Sequence, residues 1–257
     1  MRRHAPVSSR WRTHERQAQA LTGIASPGAI PGAFPGAFPG ASPAEIPAKI
    51  PGRDCPLCPR LVAFRAAQRL AHPDWCNAPV APFGEAGAEL LIVGLAPGLR
   101  GANRTGRPFT GDFAGDLLYR TLLKFGFAAG SYAAHVADGL QLRRVRITNA
   151  VRCVPPQNRP EPSEIAACRP FLASELAAMP RLRALLALGT IAHNAVLAAR
   201  ELKRSRYPFA HAALHALPDG VILADSYHCS RLNTNTGRLT PAMFEAVIAG
   251  LAERLAG

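Results

Sequence analysis

Residues 90–112 read LLIVGLAPGLRGANRTGRPFTGD, and this stretch decides the fold. Its apolar start, Leu90–Val93, predicts a buried strand, and the leucines at positions 117, 118, 122 and 123 predict a helix after it. The segment between them is therefore a strand-to-helix loop. In an α/β fold such a loop lies at the carboxyl edge of the sheet, where ligands bind.

The loop contains more chemistry than a change of chain direction requires. Glycines at positions 94, 98, 101, 106 and 111 let the backbone approach a ligand closely. Polar side chains between them supply charge and hydrogen bonds. These side chains are Asn103, Arg104, Arg107 and Asp112. We therefore expect this loop to form the active site.

The rest of the chain continues the alternation of strands and helices. The further predicted strands are Val145–Thr148, Ala184–Leu188 and Val221–Ala224. The predicted helices are Leu57–Leu70, Phe113–Phe125, Glu161–Ala178, Thr190–Lys203 and Pro241–Leu255. This order predicts a parallel sheet with helices on both faces. We expect a single α/β domain over residues 53–257, a three-layer α/β/α sandwich with a central parallel sheet.

The first 52 residues have a different composition. Pro-Gly-Ala-Phe occurs twice in succession, at 31–34 and 35–38. Proline at every fourth position prevents a stable helix, and the Pro-Gly pairs prevent a regular strand. We expect residues 1–52 to be a disordered tail rich in proline, glycine and alanine. It carries arginines without a hydrophobic segment, so we expect no secretory signal, while a transit peptide stays open.

Charge gives a first indication of the partner. The 257 residues include 30 Lys and Arg against 17 Asp and Glu, a formal net charge of +13. Such an excess favours a polyanionic partner, most often a nucleic acid. A genome that encodes arginine freely would give the same excess. No apolar run is long enough to span a membrane.

Four of the six cysteines fall into two pairs. They are Cys55 with Cys58, and Cys153 with Cys168. The first pair follows a proline-rich tail rather than a strand, which is not the place of a thioredoxin-like dithiol. Four thiolates from two distant segments form one metal site more naturally, either tetrahedral zinc, which the spacing favours, or an iron–sulfur cubane. Cys76 and Cys229 stay unassigned. Because Cys229 adjoins a candidate catalytic histidine, a reactive thiol stays open there beside the interpretation as a small buried hydrophobe.

Two more polar segments follow predicted strands. Asn149 offers a donor and an acceptor side by side, which can match the edge of a uracil-like base; the alternative is an asparagine that only ends a strand. The segment 226–240 contains His228, with Arg231 and Arg238 suited to phosphate contact. We expect both segments to meet the 94–112 loop in space. The histidines at 193, 211 and 215 lack such a context, and we expect structural roles for them.

Three ordered motifs and the paired cysteines together resemble the uracil-DNA glycosylase superfamily, specifically its family 5, from about Cys55 to Ala256. The motifs are Gly94-Leu95-Ala96-Pro97-Gly98, Asn103-Arg104-Thr105-Gly106-Arg107-Pro108-Phe109-Thr110-Gly111-Asp112 and His228-Cys229-Ser230-Arg231-Leu232-Asn233. Family 4 relatives carry an acidic residue at the position of Leu95, so this leucine points to family 5. In the third motif, Cys229 and Arg231 stand where proline is common.

The resemblance implies a monofunctional DNA glycosylase of base excision repair that hydrolyses the N-glycosidic bond of uracil, with hypoxanthine and xanthine as further candidate bases. It implies a structural 4Fe-4S cluster held by four cysteines. These are Cys55, Cys58, Cys153 and Cys168. The implied partner is DNA containing uracil or other deaminated bases. We expect a monomer without membrane attachment, cytoplasmic and associated with the nucleoid.

The resemblance also implies roles for single side chains. Asp112 stabilises the cationic sugar or orients water, His228 donates a hydrogen bond to the departing base, and Asn149 reads the polar edge of that base. Phe109 stacks on the extruded base, and Leu232 fills the gap left in the duplex. The other residues expected to contact substrate or DNA are Gly94, Leu95, Ala96, Pro97, Gly98, Asn103, Arg107, Ser230 and Arg231.

Other interpretations stay open. Aspartate is a favoured N-cap, so helix capping alone would explain Asp112, and Asp116 is a rival for its acidic role. A non-catalytic iron–sulfur protein that binds nucleic acid would account for the charge, but it has no use for Asp112, Asn149 and His228 together. A zinc-stabilised α/β hydrolase of a phosphorylated small molecule would account for the glycine-rich loop, but not for Leu232 or the charge.

Overall fold

The computed structural model describes residues 47–257, so residues 1–46 of the predicted tail lie outside the described residues. The last six positions of that tail, 47–52, contain neither helix nor strand. They nevertheless lie on the folded body, because Pro51 is buried and the Lys49 backbone N–H donates to Ser174 Oγ at 2.8 Å. The packed part of the chain therefore begins before residue 53. Within the described range, no helix is both long and apolar enough to cross a membrane.

The described residues form one five-stranded sheet and a small separate hairpin. The strands are β1 Leu90–Gly94, β2 Ala128–Ala129, β3 Gln141–Leu142, β4 Val145–Asn149, β5 Ala184–Leu188, β6 Leu214–Ala216 and β7 Ile222–Ser226. The main sheet has the order β4-β1-β5-β7-β6, and β2 pairs with β3. All neighbours in the main sheet are parallel except β6, which runs antiparallel to β7 at the edge.

Helices cover both faces of this sheet. They are α1 Pro59–Ala71, α2 Ala102–Thr105, α3 Phe113–Lys124, α4 Pro162–Ala177, α5 Thr190–Ala199, α6 Arg231–Asn235 and α7 Pro241–Ala256. Because successive strand side chains point to opposite faces, Leu90 and Ile92 pack with α3 and α7, whereas Leu91 and Val93 pack with α4 and α5. The predicted three-layer α/β/α sandwich with its mainly parallel sheet is confirmed.

The predicted element ends differ from the observed ones where local backbone or tertiary contacts decide. The helix after β5 ends at Ala199 rather than Lys203, because Glu201 adopts φ +56, outside the helical region. The last parallel strand, predicted to end at Ala224, continues to Ser226. Its last two residues, Asp225 and Ser226, are polar but buried. The short strands β2, β3 and β6 and the short helices α2 and α6 were not predicted.

The topology brings three strand ends to one place. Gly94 at the end of β1 lies in register with Asn149 at the end of β4, and β7 ends at Ser226 on the same edge. The loops that leave these ends are the ones in which the sequence places its polar motifs. The carboxyl edge of the sheet is therefore where a site must be sought.

Candidate active site

A pocket of about 600 Å³ opens at this edge of the sheet. Its walls come from the loop after β1, the start of α3, the end of β4 and the segment after β7. Three polar side chains named from the sequence line it together: Asp112, Asn149 and His228. Residues 95–98 of the first motif form another part of the wall.

Asp112 both caps a helix and faces the pocket. It precedes α3 with extended backbone, and its Oδ1 accepts a hydrogen bond from the Gly115 N–H at 3.2 Å. The other oxygen, Oδ2, lies against Gly98 and Gly101, where a Cβ would crowd it. Burial raises the pKa of Asp112, although amide N–H groups at the helix start oppose the shift. Capping therefore uses one oxygen and leaves the second to the pocket.

Asn149 presents a free acceptor. Its side chain is almost fully buried, and within the described part of the chain its Oδ1 has no hydrogen-bond partner. A buried amide oxygen without a partner is costly, so it needs an explanation, and here the side chain that carries it also lines the pocket. The same oxygen lies so close to Gly94 that a Cβ there would collide with it. The glycine at the end of β1 thus makes room for the asparagine at the end of β4.

His228 is held as a neutral imidazole. Burial lowers its pKa to about 4, because the charged ring would lose its hydration. Its backbone carbonyl accepts a hydrogen bond from Asn233 Nδ2 at 2.8 Å, which ties the loop to α6. At neutral pH the ring can donate one N–H hydrogen bond without itself being an acid.

Phe109 forms an aromatic wall of the pocket. Its ring centroid lies 6.0 Å from that of His228, and the two planes are inclined by 30°. The residue has φ +53, a left-handed backbone conformation that is unusual for a large side chain. A Cβ at Gly94 would also collide with this ring, at 2.5 Å from Cζ. Phe109 and Asn149 therefore both pack over the end of β1.

The rim of the pocket carries cations and an exposed leucine. Arg231, the first residue of α6, places its guanidinium carbon 5.3 Å from the Phe113 ring centroid. Ser230 caps α6 by accepting the Asn233 N–H. Leu232, the second residue of α6, is 71% exposed.

Two predicted contact residues lie elsewhere. Asn103 is 1% exposed and donates through Nδ2 to Asn77 Oδ1 at 2.9 Å. Arg107 is also buried, in a paired contact with Asp138. Neither lines the pocket or reaches a surface where DNA could bind, so their assignment as DNA contacts is corrected. A polar residue in a glycine-rich loop can serve the loop itself, which the sequence pattern does not distinguish.

The sequence interpretation missed other residues that line the pocket. Arg100 and Asn158 are polar, and Phe113 is partly exposed. Asn158 is the last residue of a short 3-10 turn, Pro156–Asn158, and has φ +56. Its only sequence signal is the preceding Pro-Pro pair, which indicates a turn without indicating which way it faces.

The paired cysteines line a second, smaller cavity, which we call the cysteine cavity. Its lining includes Cys55, Cys58, Cys153 and Cys168. All four thiols are free, and within the described residues no three cysteine sulfurs lie within 4.8 Å of one another. In a tetrahedral zinc site with Zn–S bonds of about 2.3 Å, the sulfurs lie about 3.8 Å apart. No three of the four sulfurs meet at that spacing here, and the cavity supplies the four thiols that either a zinc ion or an iron–sulfur cluster would take.

Comparison with known proteins agrees with this geometry. The sequence model of the uracil DNA glycosylase superfamily matches residues 81–252, which is more than half of the chain. The match includes Asp112, Asn149 and His228 of the pocket and begins after Cys55 and Cys58. The chain belongs to the uracil-DNA glycosylase superfamily. The resemblance inferred from the three motifs is confirmed.

Relatives place this superfamily member more narrowly. The type-5 uracil-DNA glycosylase of Thermus thermophilus is 47% identical over 79% of this chain and 94% of its own length. The type-5 uracil-DNA glycosylase of Mycobacterium leprae is 43% identical over 79% of this chain and 92% of its own length. A type-4 uracil-DNA glycosylase of Pyrobaculum aerophilum matches at 36% identity over only 44% of this chain. The longer matches are to type-5 proteins, as Leu95 indicated.

His193, His215 and Cys229 pack inside the protein in this superfamily member. Buried Asp225 lies 2.7 Å from His193 Nδ1 and 3.3 Å from His215 Nε2, joining α5, β6 and β7. His193 Nε2 lies 2.8 Å from the Tyr207 carbonyl oxygen, so both of its ring nitrogens have partners. Cys229 is fully buried in the core, and burial raises the pKa of its thiol to about 12. Its side chain behaves as a small hydrophobe.

Proposed function

We propose that the protein is a monofunctional DNA glycosylase that removes uracil from DNA by hydrolysing the N-glycosidic bond. The observation that carries the proposal is the meeting of Asp112, Asn149 and His228 around one pocket with an aromatic wall. A protein that only bound nucleic acid would need cations and aromatic faces, but not this combination. The names of the type-5 relatives support the same activity.

Base recognition falls to Asn149 and Phe109. The unpaired Asn149 Oδ1 accepts the N3–H of uracil, and its amide nitrogen can donate to a neighbouring carbonyl. Stacking on the Phe109 ring compensates part of the few kcal/mol that extrusion of the base from the duplex costs. Each good pair of hydrogen bonds to a base edge discriminates by about 1–3 kcal/mol.

Bond cleavage falls to Asp112 and His228. As the C1′–N bond breaks, the sugar gains positive charge and the base leaves as an anion. The Oδ2 side of Asp112 stabilises the sugar cation or orients the attacking water. Neutral His228 donates a hydrogen bond to the departing base, and because its pKa is about 4 it does not release a proton at neutral pH.

The exposed rim grips the DNA. Arg100 and Arg231 are the cationic residues of the pocket lining, and the chain's net charge of +13 adds long-range attraction to phosphate. Exposed Leu232 on α6 fills the space that the extruded nucleotide leaves, as apolar wedges do in proteins that distort DNA.

The proposal extends to hypoxanthine and xanthine. These deaminated purines are larger than uracil, and a pocket of about 600 Å³ has room for a bicyclic base. The wall residue Leu95 is apolar and adds no hydrogen-bonding side chain that would restrict the choice of base.

The proposal includes a 4Fe-4S cluster in the cysteine cavity. The four thiols that line this cavity are the usual ligand set of such a cluster and would hold it. Buried Arg65 donates to Cys153 Sγ at 3.4 Å and to the Cys55 carbonyl at 3.0 Å, so a positive charge faces the ligands. Cys55 and Cys58 before α1, Cys153 after β4 and Cys168 in α4 would hold the cluster and so join these segments. Its role would be structural, because hydrolysis of a glycosidic bond transfers no electrons.

The test is alkali-developed cleavage of labelled oligonucleotides that carry one central uracil, hypoxanthine or xanthine. We expect abasic sites from uracil, and their loss in the Asp112→Asn and His228→Ala variants. Tight DNA binding without abasic product, by protein that contains iron and sulfide in equal amounts, would instead support the non-catalytic binding protein.

A further inference from the structure

Arg107 and Asp138 form a buried ion pair beside the pocket. The guanidinium donates from Nη1 to Asp138 Oδ1 at 2.9 Å and from Nη2 to Oδ2 at 2.7 Å, a bidentate contact. Its third group, Nε, donates to Thr110 Oγ1 at 2.7 Å. The Asp138 side chain is fully buried, and the Arg107 contact holds the pKa of this carboxyl well below its usual range.

The surroundings fix both partners. The guanidinium carbon lies 5.1, 5.6 and 6.0 Å from the ring centroids of Phe83, Tyr119 and Tyr132, an aromatic cage that favours a planar cation. The Asp138 carboxylate also accepts backbone N–H bonds, from residue 133 at 3.0 Å and residue 140 at 3.1 Å. The pair therefore links the loop after β1 to the 131–140 segment between β2 and β3.

The segment that this pair anchors contains Phe109. Two residues after Arg107, the backbone takes the left-handed conformation with φ +53. The carbonyls around it are also held: Tyr119 Oη donates to the Pro108 oxygen at 2.5 Å, and Tyr132 Oη donates to the Phe109 oxygen at 3.3 Å. A left-handed conformation at a bulky residue persists only when its surroundings impose it.

We propose that Arg107 and Asp138 are positioning residues that hold the Phe109 ring in the pocket, where it stacks on the extruded base. This inference rests on the proposed glycosylase function and adds to it a specificity-determining support that lies outside the pocket. Arg107 acts through Phe109 and never touches the substrate. The residue that the sequence pattern assigned to DNA contact thus serves the base-binding wall.

The test is a double-mutant cycle between the pair and Phe109, with single-turnover uracil excision as the readout. Asp138→Asn keeps the shape of the side chain and removes its charge. We expect it to slow excision by about 10²-fold, since misplacement of a binding wall by about 1 Å has effects of this size. In a Phe109→Leu background the same substitution should cost less than about threefold, because the ring that it positions is gone.

Inhibition by free uracil gives a second readout. If the ion pair only stabilised the fold, its substitution would leave this inhibition unchanged. Asp138→Asn should weaken this inhibition about tenfold, because free uracil stacks on the same ring. Glu89→Gln is the matched control. It disrupts another buried carboxylate held bidentately by an arginine, Arg144, at the amino edge of the sheet, and should leave excision and uracil inhibition unchanged.

The outcomes separate the two levels of the inference. The positioning role would be overturned if the two substitutions reduced the excision rate independently, so that their factors multiplied in the double variant. It would also be overturned if Asp138→Asn left uracil inhibition at the wild-type value. In both cases the glycosylase function would stand. A folded wild type that excises no uracil would overturn the function and the inference together. If Asp138→Asn melts below the assay temperature, Arg107→Lys takes its place with the same expectations. The lysine keeps the positive charge but cannot make the bidentate contact of the guanidinium.

Discussion

The two edges of the central sheet differ in how their polar groups are satisfied. At the amino edge, Glu89 accepts hydrogen bonds from Arg144, Arg181 and Arg183, and two of these arginines also donate to the Leu255 carbonyl. At the carboxyl edge, Asp112, Asn149 and His228 line a pocket without pairing with one another. The carboxylate at the amino edge is paired on both oxygens, whereas the side chains at the carboxyl edge leave hydrogen-bonding capacity open.

The pKa shifts follow the same division. At the amino edge, hydrogen bonds from Arg144 and the other arginines lower the pKa of Glu89 to about 2, so its charged form is stabilised. At the carboxyl edge, burial raises the pKa of Asp112 and lowers that of His228, so in both cases the neutral form is favoured. The paired carboxylate of Glu89 stabilises the fold. The unpaired groups, Asp112 and His228, can instead interact with charges that appear only during a reaction. Substitutions at the two edges should therefore affect different properties.

The largest expected effect is that of Asp112→Asn. We expect uracil excision to fall by about 10³-fold, because the carboxylate that faces the sugar cation becomes a neutral amide. The melting temperature should stay close to that of the wild type, since the asparagine still caps α3. Single-turnover cleavage and thermal melts measure both. Unchanged excision would assign Asp112 to helix capping alone.

The next effect is that of His228→Ala. Loss of the hydrogen bond to the departing base should lower the excision rate by about 10²-fold. Because the pKa of His228 is lowered to about 4, the imidazole is already neutral well below pH 7, and Asp112, whose pKa is raised by burial, gives the pH–rate profile an acid limb of its own. We expect this limb to keep its position in the variant. Its disappearance would mean that the histidine titrates in the active range.

At the amino edge, Glu89→Gln should change stability and not activity. The lowered pKa of Glu89 means that its stabilisation is complete above about pH 4.5 and is lost as the pH falls toward 2. We expect the variant to lose about 2 kcal/mol of unfolding free energy at pH 7 and to show a flatter decline in acid. Urea titrations at several pH values measure this. A slower excision rate at pH 7 would break the proposed division between the edges.

The smallest effect is that of Leu232→Ala. The exposed side chain contributes little to the core, so the melting temperature should not change. Excision from double-stranded DNA should fall about tenfold, because the gap left by the flipped nucleotide is no longer filled. Excision from single-stranded DNA should stay the same. Equal losses on both substrates would exclude a wedge role.

Sequence patterns predicted the framework because it depends on apolar runs. Ala184–Leu188 is bounded as predicted, since nothing in that run competes with a buried parallel strand. The strand Ile222–Ser226 extends past its prediction because Asp225 is buried against two histidines, a contact between distant segments. β6 was missed because its three residues are half-exposed and carry no periodic signal.

The site was predictable where a residue ends a strand and less so inside loops. Asn149 is the last residue of β4, and His228 follows the end of β7. The parallel order of the strands brings these two positions to the same edge of the sheet. Arg107 was misassigned because its partner Asp138 lies 31 residues away in a segment without a motif. Whether an arginine in a loop faces solvent or the interior depends on such a partner.

The strand order also has a consequence for synthesis of the chain. Central β1 pairs with β4 and β5, whose paired residues lie about 55 and about 94 positions later, so these are long-range contacts that form slowly. The nascent β1, apolar on both faces, leaves the ribosome before either neighbour exists. Its apolar residues must wait until most of the domain has been made. The segment that leads into the active site is thus also exposed to aggregation during translation.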